Sequence, residues 1–320
     1  MGKRCIHGLA LSAVSLSAAG VTMDAGAAES TMRERELLPR FSLYNPSYLG
    51  VANQGGDNSH SEFFYSFRYR LTDQRAFGLG QDNYLFFAYT GAFDFYWTPT
   101  RGDTRDSGPV INRLNNPEIH YRFYLNKGEL AEKLREEASS QAFVYIDAAV
   151  GHESNGQTIS NQQALDAAGP HGIDLVSRSW NYISLETKYK FKGQQCSELL
   201  GCNGLDATLR WFFTQGREDT IFWDPQNHAT ITQYDGLRAQ FMQEWNPDGD
   251  GTPRQALWAT YRTGISKPFA RNSITANGHL QLSLWGLKPL LFVRYFYGYG
   301  RTISDYTRHD SYWLVGFRFR

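Results

Sequence analysis

The chain has 320 residues, with 32 Lys plus Arg against 32 Asp plus Glu, so its formal net charge is zero. That balance, and the lack of a basic stripe interleaved with stacking aromatics, gives no footing to a nucleic-acid partner. Aromatics make up 15% of the chain and include 19 Tyr. A soluble domain has little use for so many amphipathic rings, whereas a membrane barrel girdles both interfaces with them.

The first residues read as an export signal. Met1-Gly2-Lys3-Arg4 is a basic start, residues 5 to 22 are apolar or small, and Ala25-Gly26-Ala27 is a small-x-small pattern. We expect a signal peptide over 1–27, an N-terminal segment over 28–40 and one barrel domain over 41–320. No later stretch is apolar for the ~18 residues a transmembrane helix needs. An exported chain can still cross a membrane with strands. Cys5 falls in the signal, while Cys196 and Cys202 remain as a pair in a Gly-rich turn, where an oxidising compartment would permit a local disulfide.

Twelve strands are expected in chain order: 41–50, 62–71, 83–97, 116–126, 142–153, 179–191, 205–215, 230–245, 254–266, 274–286, 288–300 and 308–320. Turn-rich runs such as Asn53-Gln54-Gly55-Gly56 and Asn246-Pro247-Asp248-Gly249 separate them. One short helical or extended turn segment is expected over 128–139. Elsewhere the period is two. Glu118, His120, Arg122 and Tyr124 share one face, and Ile119, Tyr121 and Phe123 the other. An even strand number, strands near the ~9–11 residues of a tilted span, and polar faces bearing both charges favour an all-β, antiparallel transmembrane barrel. A soluble sandwich would show the same period with its apolar face inside.

The segment that can carry chemistry is Gly151-His152-Glu153-Ser154-Asn155-Gly156, followed by Ser177-Arg178-Ser179-Trp180-Asn181. His152 and Ser154 stand at i and i+2 on a strand, so they share a face. A His beside a hydroxyl can serve as its general base. Asn181, on the next strand, can approach His152 across a hairpin and fix its tautomer, as Asn does in Cys-His-Asn systems. Counting back from Ser154 in twos gives His152, Val150, Ala148, Ile146 and Val144, the apolar face; Glu153, Asp147 and Tyr145 lie on the polar one. The three polar groups therefore belong outside the barrel at the edge of the lipid band, where polar groups are costly and mark function.

These two strings closely resemble the outer membrane phospholipase A family, as do Tyr44-Asn45-Pro46-Ser47-Tyr48-Leu49 and Asn116-Pro117-Glu118. The resemblance implies a calcium-dependent hydrolase of acyl esters of membrane phospholipids (phospholipase A1/A2, with lysophospholipase activity). It would work in the outer membrane of a Gram-negative bacterium and be activated as a homodimer. It makes Ser154 the nucleophile, His152 the base, Asn181 the residue that orients it, and the Gly156 N–H an oxyanion donor. Ca2+ would be held by the Ser177 hydroxyl, a backbone oxygen near Gln157, and a carbonyl of Gly108 or Ser107 of the partner subunit. This chain departs from the family in three places. Gln157 replaces an Arg, residues 158–176 form an enlarged loop that brings Asp166 and Asp174, and Gly91 follows Tyr89-Thr90 where the family has a dimer-contact Gln. A catalytically inactive barrel, as channel or structural protein, and a soluble periplasmic esterase are the competing readings.

Overall fold

The computed structural model describes residues 40–53, 59–72, 83–97, 110–124, 143–169, 172–191, 204–213, 230–247, 253–282, 288–304 and 306–319. The signal-like start, the 128–139 segment, the 107–109 loop with Ser107 and Gly108, and Cys196 and Cys202 lie outside the described residues.

The strands are β1 (Phe41–Leu43), β2 (Ser47–Asn53), β3 (His60–Arg70), β4 (Asn83–Tyr96), β5 (Val110–Tyr124), β6 (Phe143–Ser154), β7 (Ser179–Lys190), β8 (Gly204–Phe212), β9 (Gly236–Pro247), β10 (Pro253–Gly264), β11 (Asn272–Gln281), β12 (Leu290–Tyr299) and β13 (His309–Phe319). From β2 onward each pairs antiparallel with its sequence neighbour, and β13 returns to pair with β2, with Trp313 opposite Asn53 and Phe319 opposite Ser47. β1 and β2 both pair with β3, at Phe67–Tyr69 and His60–Phe64 respectively. They are one strand broken at Tyr44-Asn45-Pro46, because Pro46 cannot donate to the ladder. The break lets Tyr44 pack against Phe86 and the His120 ring. Counted so, the sheet is a closed barrel of twelve antiparallel strands.

The two faces are sorted opposite to a soluble sandwich. Leu49, Val51, Ile119, Val150, Ile183, Leu185, Leu257 and Val315 are exposed on the outside. The inside holds paired charge. Arg122 and His120 both bond Asp147 (2.7 Å each), Arg301 bonds Asp94 (2.9 Å), and Arg294 and Tyr48 meet Glu62 (Arg294–Glu62 3.0 Å). Paired, hydrogen-bonded charges are the form in which ionic groups tolerate burial. The sandwich reading is excluded on this inverted pattern.

Three strand limits differ from the sequence expectation by five residues or more. β5 starts at Val110, six residues early, because the ladder with β4 shifts at a bulge between Ala92 and Asp94, and Asn112 adopts φ +52°. Residues 231–233 form a 3₁₀ turn ahead of β9 rather than its first residues. β11 ends at Gln281, short of the expected 286.

Candidate active site

The end of β6 and the start of β7 carry the site. The register sets His152 opposite Asn181 and Ser154 opposite Ser179. Below them Val150 is 55% and Ile183 50% exposed, whereas Asp147 (2%) and Tyr182 (0%) point inward. His152, Ser154 and Asn181 are half-buried on the outward face. The His152 Nδ1 and Asn181 Oδ1 are 2.8 Å apart. An amide oxygen only accepts, so Nδ1 carries the proton and Nε2 offers its lone pair. Among the described residues no hydrogen bond joins Ser154 Oγ to that nitrogen. Such bonds are often long in an unliganded site and tighten with substrate.

The strand end is pinned from behind. Glu153, between His and Ser, points inward and accepts from Trp180 Nε1 (2.6 Å) and Arg210 Nη1 (2.8 Å). Tyr182 bonds Asn116 (2.8 Å) and Glu118 (2.9 Å), and its ring fills the space over Gly151, where a Cβ would approach to 2.4 Å.

After Ser154 the chain turns sharply. Gly156 sits at φ +58°, a conformation that favours glycine. Asn155 is fully buried, and its Oδ1 accepts from Gln157 N (3.3 Å) and Arg178 N (2.9 Å) while its Nδ2 donates to Val176 O (2.6 Å) and Ser304 Oγ (3.0 Å). One side chain thus clamps the start and end of the 155–178 loop. The loop is itself built: a helix α1 (Gln162–Ala167) capped by Asn161, a 3₁₀ turn at Gly172–Leu175 and a parallel bridge from Ile159 to Val176. Ser304 Oγ also bonds Asp174 O (3.1 Å), tying the loop to the β12–β13 connection.

The clamp holds the Gln157 and Arg178 N–H groups on one amide oxygen, and the Ser177 N–H beside them bonds Ile159 O (2.8 Å). Hydroxyl and carbonyl oxygens are the donor chemistry of a hard cation, so Ser177 and Gln157 fit calcium. Asp166 is spent on Gln162 Nε2 (2.7 Å) along the exposed helix. His60, Glu62 and Asp94 also cluster closely, inside the barrel. Arg301 Nη2 bonds both His60 Nε2 (2.8 Å) and Asp94 (2.9 Å), so a guanidinium already fills that cluster.

Two groups at the site were not singled out in the sequence. Asn115 lies opposite Ser154 across β5 and β6, its Nδ2 3.4 Å from Ser154 O, and Tyr89 OH donates to its Oδ1 (2.7 Å). The signal was there in the alternation, since Asn115 interrupts the outward face of Pro117 and Ile119. Asn155 gave none, because its partners come from distant segments. At the divergent Gly91, the Tyr65 ring covers the position, where a Cβ would approach to 2.3 Å.

No family model matches the chain, and no curated protein matches it. Solved structures do. An active-site mutant of outer membrane phospholipase A from Escherichia coli aligns over 91% of this chain and 96% of its own, at 13% identity and TM-score 0.60. Another structure of outer membrane phospholipase A from Escherichia coli aligns over 88% and 91%, at 13% identity and TM-score 0.59. A calcium-bound dimer of the Salmonella typhi outer membrane phospholipase aligns over 91% and 96%, at 14% identity and TM-score 0.60. This chain is therefore similar in structure to outer membrane phospholipase A across nearly the whole barrel, and what it shares with those proteins at this identity is the fold.

Proposed function

We propose that the chain is an outer-membrane hydrolase that cleaves acyl esters of membrane phospholipids, with Ser154 as nucleophile, His152 as general base, Asn181 as the group that orients it, and the Gly156 N–H as an oxyanion donor. The observation that carries this reading is the 2.8 Å His152–Asn181 contact on the outward face, with Ser154 two residues along the same strand. A solute in the lumen would never meet that face; the ester groups of a bilayer would.

The chemistry follows from the groups present. Ser154 Oγ attacks the ester carbonyl as its proton passes to His152 Nε2, and the carbonyl electron pair moves onto oxygen. Asn181 holds the proton on Nδ1, so the imidazole always presents Nε2 to the hydroxyl. Collapse expels the alcohol, which takes the proton back from His152; water repeats the sequence on the acyl-enzyme. Ser177 and the Gln157 backbone would hold calcium, with a carbonyl of Ser107 or Gly108 from a second copy. Calcium, when bound, supplies positive charge beside the developing oxyanion. The structurally similar proteins are outer membrane phospholipases, one of them a calcium-bound dimer, which supports the same reading here.

A passive channel is disfavoured by the ion pairs inside the barrel, such as Arg122–Asp147 and Arg301–Asp94. The deciding experiment is Ser154→Ala in the purified barrel, assayed on phospholipid in mixed micelles. We expect hydrolysis to vanish while the folded band persists on unheated gels. Undiminished hydrolysis by that variant would remove Ser154 from the mechanism.

A further inference from the structure

The oxyanion formed by attack of Ser154 needs more than one donor in a site bordered by lipid. Asn115 is placed to be one. It faces outward on β5 directly opposite Ser154, so the two side chains are cross-strand neighbours at the same height. Its Nδ2 lies 3.4 Å from Ser154 O and 3.6 Å from where a Cβ on Gly156 would stand. The amide therefore borders the Gly156 turn on the lipid side of the nucleophile.

The direction of the amide is fixed by its partners. The Ser154 carbonyl can only accept, so the nitrogen end faces it. The oxygen end accepts the Tyr89 hydroxyl proton at 2.7 Å. A carboxamide nitrogen has two protons, and one is used on Ser154 O at a long 3.4 Å. The other has no partner among the described residues. A polar group held at the edge of a lipid band with an unspent donor is costly unless a ligand uses it.

We propose that the Asn115 side-chain N–H is a second oxyanion donor, paired with the Gly156 backbone N–H, and that Tyr89 orients it. In the step, the Ser154 Oγ–carbonyl carbon bond forms, the Ser154 proton goes to His152, and the electron pair of the carbonyl π bond moves onto the oxygen that Asn115 and Gly156 receive. When the oxyanion collapses, the ester C–O bond breaks and His152 returns the proton to the leaving alcohol. This inference rests on Ser154 being the nucleophile.

The test uses the full barrel in mixed micelles with calcium and a chromogenic thioester phospholipid. Asn115→Ala is expected to lower kcat by ~100-fold, the usual effect of deleting one oxyanion donor, with KM changed little. Asn115→Asp keeps the size and the acceptor for Tyr89 but has no N–H, and is expected to lose as much. Tyr89→Phe leaves Asn115 in place and frees its orientation; kcat should fall about tenfold, the effect of ~1.4 kcal/mol on the barrier. Each variant is checked for the folded band and for its rate of labelling by an alkylsulfonyl fluoride, which should fall in parallel with kcat. Folded Asn115 variants with wild-type kcat, or with a loss confined to KM, overturn this inference alone. Activity that survives Ser154→Ala overturns the assignment of the nucleophile and this inference with it.

Discussion

Asn155 uses every hydrogen-bonding position of its amide, and each bond reaches a different part of the site. Its neighbours Ser154 and Gly156 are the residues proposed to act on substrate, yet Asn155 points inward and never meets lipid. Replacing it with Ala leaves the Gln157 and Arg178 N–H groups and the Val176 carbonyl without this partner. Each buried polar group left unsatisfied costs about 1–3 kcal/mol. Asn155→Ala is therefore expected to lower the urea midpoint of folding in lipid vesicles. It should also lower kcat, because the turn that aims the Gly156 N–H then keeps only its backbone bonds. Unchanged folding and activity would show that the loop holds its shape without the clamp. The sequence displayed the faces of Ser154, His152 and Asn181 because alternation is a local property. It could not display the role of Asn155, whose partner Ser304 lies 149 residues away. Asn115 stood one residue outside the expected 116–126 strand, and its contact with Tyr89, 26 residues back, left no local mark.

The β6–β7 hairpin holds its outward chemistry by means of inward anchors. Glu153 is fixed by Trp180 on β7 and Arg210 on β8, and the Arg210 guanidinium also lies over the Tyr182 ring at 4.2 Å. Three adjacent strands thus share one buried charge pair directly behind the triad. Removing one partner of such a pair strands the other in a place water does not reach, at a cost of about 3–5 kcal/mol. Arg210→Met is expected to destabilise the barrel by that order, read as an earlier urea transition. It should also cut hydrolysis, although Arg210 is on the opposite face from any lipid. Wild-type stability would mean that water enters the lumen freely enough to solvate Glu153. At this scale most strands were legible to within a few residues, since long half-buried strands alternate cleanly. The exceptions share one cause: Pro46, the Ala92/Asp94 bulge and the turn at 231–233 each break the period of two. Alternation read along the sequence runs straight across such breaks, as the expected strands 41–50, 83–97 and 230–245 did.

For the whole molecule the question was which face lies inside. Period two fits a sandwich and a barrel equally, and they differ in what the polar face carries. Charges of both signs can neutralise one another in a filled lumen, and the observed pairs do so. The triad then sits outside, at the end of the barrel opposite the described termini, since residue 40 neighbours Arg70 and Phe319 pairs with Ser47. The proposed hydrolase, exposed to its own membrane, would have to be held inactive, and an incomplete calcium site on each copy would do this. The proposed site takes Ser177 and Gln157 from one copy and a carbonyl of Ser107 or Gly108 from the other. Two inactive variants can test that division. One is Ser154→Ala with an intact 107–109 loop; the other keeps Ser154 and lacks residues 107–109. In an isologous dimer with random pairing, half of the dimers are mixed and each has one complete site, so an equal mixture should recover roughly a quarter of wild-type activity. That recovered activity should vanish in excess chelator and return with calcium. If the loop-deleted copy is fully active alone, the loop donates nothing across the interface. If both copies fold and form mixed dimers and the mixture stays inactive, the carbonyl is not supplied across the interface.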